Sequence, residues 1–595
     1  MYMKFHWIWL LLAGSAVAGQ GPSNLIGNIP GRTAVSLNGA WHAIVDPFDN
    51  GQGSHFYRDE KPQNKTDRVE YSFDLSPVLN VPGDWNTQRE SLIFYEGSVW
   101  YRREFNYRKK PGTRVFIHFG AANYRAAAYL NGEKLGEHEG GFTPFEFEVT
   151  SLLREGGNFL IVEVNNARRA DGVPALRFDW WNYGGITRDV ELVEVPETFI
   201  QDYSLQLERG SEAEISGWVQ LNGAQAGQKI GIEIPEIGVN HSSISDATGQ
   251  SKFMFRAKVD RWSPDHPKLY EVVVSSGRDR VRDQIGFRTI EVQGGKVLLN
   301  GQPIFLRGIS MHEEAPFREG RVFSAEDAQT LLGWVKELGC NFVRLAHYPH
   351  GENEVRLADR MGLLVWSEIP VYWDIDWTNP ATLENARAQL RDMIARDHNR
   401  AAVILWSIAN ETPVKAERLV FLKQLAEEAR ELDSTRLITS AMNHLDTTSE
   451  DLRTLSDPLG DVLDVLGLNE YMGWYWGRPE DADKMQWSLN WNKPLIVTEF
   501  GGGAQAGRHG EADERWTEEY QDSLFQHQLA MIQNMPNLVG ITPWVLMDFR
   551  SPMRLLPGVQ DYHNRKGVIS NRGERKKAFY TLQKFYREMM TAPVH

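Results

Sequence analysis

The chain is poor in cysteine. Cys340 is the only one among 595 residues, so neither an internal disulfide nor a thiolate metal cluster is available. It lies between a helical and a strand-like run, where a thiol usually behaves as a small buried apolar group. Positive charge is also outweighed by negative. Against 79 Asp and Glu stand 64 Lys and Arg, and the net charge of −15 excludes a general nucleic-acid binder, which needs a basic face. Past the first 19 residues no run is long and apolar enough for a transmembrane helix, and there is no internal repeat or low-complexity tract.

What is present is ordinary apolar content, 42%, and a wealth of aromatic residues, with 20 tryptophans. Such rings fill cores, and they also stack on the apolar faces of sugars. The length suggests roughly two to four domains. Residues 1–19 read as a secretory signal: Lys4, an apolar stretch from Phe5 to Ala13 broken by His6, and the small-residue site Ala16-Val17-Ala18. A secreted or periplasmic protein with no membrane span after cleavage is expected, with a retained anchor as the alternative.

Residues 28–195 alternate short strands with turn signals, such as Val115-Phe116-Ile117-His118-Phe119 and the hairpin dipeptide Asn131-Gly132, which predicts a jelly-roll β-sandwich. Residues 196–293 keep the pattern with shorter strands and suit an immunoglobulin-like sandwich. In residues 294–595 strands alternate with amphipathic helices. Counting strands at Pro303 to Leu306, Asn341 to Leu345, Leu363 to Trp366, Ala401 to Ser407, Leu437 to Ser440, Val465 to Leu468, Leu495 to Thr498 and Ile541 to Val545 gives a (β/α)₈ barrel.

The run Ala401 to Leu405 is apolar without alternation, as a doubly covered parallel strand requires, and it leads to Asn410-Glu411. The run Pro494 to Thr498 leads to Glu499. Barrel enzymes place their chemistry at these carboxyl ends. Two carboxyl groups on one rim equip a retaining glycosidase, in which one protonates the leaving oxygen and the other attacks the anomeric carbon from about 5 Å away. Glu411 is the expected acid/base, Glu499 the nucleophile, and Asn410 a hydrogen-bond partner for the neighbouring sugar hydroxyl. Either glutamate alone would read as a cap or a surface charge. Trp544, placed at the end of the last strand, is expected to floor the sugar site. The histidines lack a carboxylate partner at ligand spacing, so no metal and no cofactor is expected.

Asn410-Glu411, Thr498-Glu499-Phe500-Gly501, Arg344-Leu345-Ala346-His347-Tyr348-Pro349 and Gly308 to Glu313 resemble signatures of glycoside hydrolase family 2. The order of the three domains resembles that family too, so the likeness covers nearly the whole chain past the signal. Within the family, Asn469-Glu470-Tyr471-Met472-Gly473-Trp474-Tyr475 is similar to a glucuronidase segment, with departures at Glu470 and Met472. Asn564-Arg565-Lys566-Gly567 matches its Asn-x-Lys motif, and Phe178 to Gly185 its sugar-contacting stretch.

The resemblance implies exo-acting removal of terminal β-D-glucuronate. Tyr471 would stand beside the nucleophile and Tyr475 would face the substrate. Asn564 and Lys566 would hold the sugar carboxylate, Asp179 the sugar hydroxyls, and His312 and His347 would line the pocket. Arg344 would give electrostatic support. Arg550 and Arg554 lie in the loop after the last strand. The short loop after Trp366, with Trp373, Asp374, Asp376 and Trp377, predicts an open site and a uronate-ended oligosaccharide or conjugate as partner. A homo-oligomer is in keeping with the family. β-Galacturonidase, β-galactosidase and a non-catalytic carbohydrate-binding protein remain alternatives.

Overall fold

The computed structural model describes residues 24–61, 63–64, 66, 71–223 and 226–591. The segment read as a secretory signal lies outside them. Two antiparallel sandwiches precede a closed barrel of parallel strands.

The first sandwich packs a six-stranded sheet on a four-stranded one. Its longest pairing joins Gly156–Asn165 to Ser98–Tyr107 along ten residues. Period-two alternation sends Leu160, Val162 and Val164 into the space between the sheets. Ile161, on the other face, is covered by Trp100 and Phe73, so the centre of this sheet is dry on both sides. The second sandwich has seven strands in sheets of three and four, from Phe199–Leu207 to Asp279–Ile285, closed over Ile215, Val219, Ile230, Ile232 and Val272.

The barrel strands are Leu306–Met311, Phe342–Leu345, Leu364–Glu368, Val403–Asn410, Leu437–Met442, Val465–Asn469, Leu495–Glu499 and Leu538–Ile541. All eight positions of Val403–Asn410 are buried, as its unbroken apolar run requires. Helices cover the outside. Ser324, Asn379 and Thr517 accept backbone N–H bonds at three helix starts, and Gly362, with φ 67°, closes Glu352–Met361. Cys340 is buried, which pushes its thiol up and leaves it inert.

Two strand assignments from the sequence are corrected. The first barrel strand is Leu306–Met311, not Pro303 to Leu306; Gln302–Pro303 instead edges a small sheet with Ile290–Gln293 and Lys296–Leu299. Gly308 and Ser310 disguise the true strand as non-strand. Gly308 has to be small, because a Cβ there would lie 2.6 Å from Thr542 and 2.8 Å from Phe342. The last strand is Leu538–Ile541, not Ile541 to Val545. Pro543 has no N–H for the ladder, and the apolar run beyond it is buried as pocket wall rather than strand. Trp544 therefore lies past the strand end. The other elements keep their identity with shifted ends. A small sheet of Leu445–Ser449, Leu452–Leu455 and Gln486–Leu489, unforeseen from the sequence, rises from the loops after the fifth and sixth barrel strands.

The first sandwich reaches the barrel through residues 178–188. Trp181 N–H donates to the Arg550 carbonyl, Tyr183 to Glu314 at 2.8 Å, and Arg188 to both oxygens of Glu313 at 3.0 Å.

Candidate active site

The fourth strand delivers Asn410 at its end, and Glu411 follows with φ 50°, its N–H on the Ala441 carbonyl at 2.9 Å. Glu499 ends the seventh strand. The structure brings the two onto one rim. Glu411 Oε1 accepts from Asn469 Nδ2 at 2.8 Å and Oε2 from Trp373 Nε1 at 2.9 Å. Burial raises its carboxyl above the usual range, and the charge of Glu499 raises it further. Glu499 Oε1 accepts from Arg344 Nη1 at 2.8 Å and Oε2 from the Tyr471 hydroxyl at 2.7 Å. The two carboxyl groups thus have different surroundings, one held by neutral donors and the other by a cation and a phenol.

Arg344 is the hub. Fully buried, it also donates to Glu368 Oε1 at 3.0 Å and to Asn410 Oδ1 at 2.8 Å. A guanidinium can only donate, so the Asn410 oxygen must face it. Asn410 Nδ2 then has no protein partner among the described residues and is a free donor. Asn469 is fixed in turn, because its Nδ2 faces the Asn410 Oδ1 at 3.2 Å and must donate there, while its Oδ1 accepts from Thr498 Oγ1 at 2.6 Å.

Glu368, which sequence reasoning missed, ends the third strand. Burial works to raise its carboxyl, but Arg344 and His347 outweigh burial and hold it at about 2. It accepts from Trp366 Nε1 at 2.7 Å and faces His347 Nδ1 at 2.8 Å, which leaves His347 Nε2 3.8 Å from Glu499. The available signal was an acid closing an apolar strand, as in the two strands already singled out.

Trp544 stacks on His347 with ring centroids 4.8 Å apart and meets His312 edge-on at 5.2 Å. It walls the site from the loop past the last strand. Burial first, and neighbouring cations second, push the His312 imidazole well below its ordinary range. Its Nδ1 lies 3.1 Å from the Tyr348 hydroxyl, and its Nε2 has no partner among the described residues.

On the far side of Tyr471 lies a cationic corner. Lys566 Nζ sits 4.5 Å from the centre of the Tyr471 ring and donates to the Tyr475 hydroxyl at 2.6 Å. Burial would raise the Tyr475 phenol, but Lys566 and Arg554 outweigh it and draw the phenol down. Asn564 joins this corner, with its Oδ1 accepting the Lys566 N–H at 3.2 Å. Asp179, expected as a sugar contact, comes to the corner from the sandwich with both oxygens engaged by protein donors. Ser551 donates to its Oδ1 at 2.5 Å, Asn564 to its Oδ2 at 3.2 Å, and Arg554 forks across both oxygens. Arg550 is drawn away to Glu319. In the short loop after the third strand, Asp374 is held by Lys415 and Trp377, so of the residues named there Trp373 alone touches a candidate catalytic group.

Three family models match in series: "Glycosyl hydrolases family 2, sugar binding domain" at residues 35–196, "Glycosyl hydrolases family 2" at 198–288 and "Glycosyl hydrolases family 2, TIM barrel domain" at 290–590. A beta-glucuronidase of Paenibacillus borealis is 28% identical, over 94% of this chain and 98% of its own. The Homo sapiens beta-glucuronidase is 27% identical, over 97% and 94%. Among solved structures, a beta-glucuronidase from an uncultured Clostridium sp. aligns with a TM-score of 0.83 at 25% identity, over 96% of this chain and 100% of that one. The Bifidobacterium dentium beta-glucuronidase complexed with coumarin-3-O-glucuronide aligns with 0.82 at 26% identity, over 96% and 98%.

Proposed function

This chain belongs to glycoside hydrolase family 2, and from that premise we propose that it is a retaining exo-β-glucuronidase releasing terminal β-D-glucuronate. Glu411 gives its proton to the glycosidic oxygen while Glu499 attacks the anomeric carbon. The C–O bond to the leaving group breaks as the ester to Glu499 forms. Water then attacks the same anomeric carbon, Glu411 takes the water's proton, the bond from that carbon to Glu499 breaks, and glucuronate leaves with its configuration retained. Asn410 Nδ2 is a donor for the hydroxyl beside the reacting carbon.

The observation that carries the glucuronate reading is the Glu499–Tyr471–Lys566 relay. The ring whose hydroxyl touches the nucleophile has Lys566 over its face. A cation set one ring away from the nucleophile, with Asn564 and Arg554 beside it, suits a carboxylate on C5 far better than a neutral hydroxymethyl group. The beta-glucuronidase relatives support the same substrate.

Aryl β-glucuronide, β-galacturonide and β-galactoside hydrolysis, run with Lys566→Ala in parallel, tests it. A glucuronide preference that falls roughly 10²-fold in kcat/KM in the variant is expected. A galactoside preference untouched by the substitution would overturn the uronate assignment. The short loop after the third strand supports uronate-ended oligosaccharides as the natural substrates; faster turnover of small aryl glucuronides would count against that. Export rests on the pattern in residues 1–19 and is checked by the mature amino-terminus. A homo-oligomer rests on the family resemblance and is checked by light scattering.

A further inference from the structure

We propose that Trp373 positions the Glu411 acid and strengthens it, an inference that rests on reading Glu411 as the acid/base. The indole reaches Glu411 because a backbone ladder puts it there. Asn410 N–H donates to the Val371 carbonyl at 2.9 Å, Trp373 N–H donates to the Asn410 carbonyl at 3.0 Å, and Tyr372 pairs with Asn410 between them. Trp373 takes φ 54°, a conformation L side chains seldom adopt, and it is the residue in that conformation directly opposite Glu411. Its ring leans on Tyr372, with centroids 4.6 Å apart, and remains partly exposed beside the acid.

Several elements bring groups to Glu411. Glu499 comes from the seventh strand, Asn469 from the sixth, and His347 from the loop after the second, with the phenols of Tyr372 and Tyr471 nearby. Arg344 reaches this corner through Asn410. Burial and Glu499 favour the protonated form. An N–H donor favours the ionised form, so Asn469 on Oε1 and Trp373 on Oε2 act against them. An acid that is too weak holds its proton and transfers it late, so this counterweight bears directly on protonation of the leaving oxygen. Asn469 is fastened by Thr498 inside the barrel, whereas Trp373 arrives on a surface loop.

The test is the pH profile of kcat/KM on an aryl β-glucuronide for the full-length enzyme, Trp373→Phe, Trp373→Leu and Trp373→Gln. Phe keeps the ring and Leu keeps neither ring nor donor. Gln keeps an N–H donor without the ring. Activity is lost as pH rises through the Glu411 titration, and removing a donor to the ionised form raises that titration. The descending limb is therefore expected to move up by about one pH unit in the Phe and Leu variants and to stay near the parent in the Gln variant. Phe and Leu profiles that superimpose on the parent's, or a Trp373→Gln profile displaced as far as they are expected to be, would overturn the proposal. Glu411→Gln separates the two levels: full activity there removes the acid/base reading itself, whereas an inactive Glu411→Gln enzyme with an unmoved Trp373→Phe profile removes only the role of Trp373.

Discussion

Arg344 Nη1 donates to Glu499 Oε1 across 2.8 Å, with the guanidinium sealed from solvent and the carboxylate nearly so. The same guanidinium satisfies Glu368 and Asn410, so three acceptors depend on one fork. Arg344→Met would leave two carboxylates buried without their cation, which costs about 3–5 kcal/mol of stability. Arg344→Lys keeps the charge but cannot reach three acceptors at once and should rescue stability only in part. Thermal unfolding and kcat/KM, measured side by side, check this. A Lys variant with parental kcat/KM would show that charge alone suffices and that the fork does not matter.

The architecture was legible where hydrophobic period and acid placement agreed. The fourth and seventh strands announced themselves by unbroken apolar runs that stop at a carboxylate. The first strand was hidden because Gly308 is small for packing and Ser310 donates to the Thr498 and Thr542 carbonyls, reasons that a periodicity count cannot see. The last strand was over-extended because Trp544 and Val545 are as buried as strand residues while forming pocket wall. Among site residues, Arg344 and Lys566 were reached through motifs. Glu368 escaped because the third strand was ended too early, at Trp366. The Asp179–Arg554 pairing could not be read at all, since it joins residues 375 positions apart in two domains.

Glu368 makes a prediction at low pH. Its folded-state carboxyl lies at about 2, below the ordinary value near 4.3. The unfolded chain therefore takes up its proton first as pH falls. The stabilisation is complete above about 4.3 and is lost progressively down to about 2, amounting to about 3 kcal/mol. Glu368→Gln lacks this contribution, so the gap in Tm between parent and variant should be wide at pH 5 and narrow steadily towards pH 2. A gap independent of pH would show that Glu368 does not titrate as described.

Glu470 predicts the opposite slope. It sits between Asn469 and Tyr471, with its N–H on the Glu499 carbonyl at 2.7 Å, and burial raises its carboxyl to about 8. Its Oε1 accepts the Met472 N–H while Oε2 has no partner among the described residues. Between about pH 4.3 and 8 the folded protein keeps a proton that the unfolded chain has released, so stability declines with rising pH by up to about 5 kcal/mol. Glu470→Gln should remove this decline and melt above the parent at pH 8. Parallel Tm curves for the two proteins from pH 5 to 8 would contradict it.

Asp179 was expected to hold the sugar hydroxyls, yet its oxygens are taken by Arg554, Ser551 and Asn564. Burial would depress the Arg554 guanidinium, but Asp179 outweighs it and raises it, as in a settled ion pair. On the proposed reading, Asp179 serves the substrate through Arg554, by holding that cation near Lys566 and Tyr475. This makes the two substitutions non-additive. Asp179→Ala and Arg554→Ala should each lower kcat/KM on an aryl glucuronide by roughly 10–10²-fold, and the double variant should fall no further than the worse single one. If Asp179 instead contacts the sugar on its own account, the two losses multiply. The double-variant cycle thus decides whether the sandwich lends the site a sugar ligand or a support for a barrel arginine.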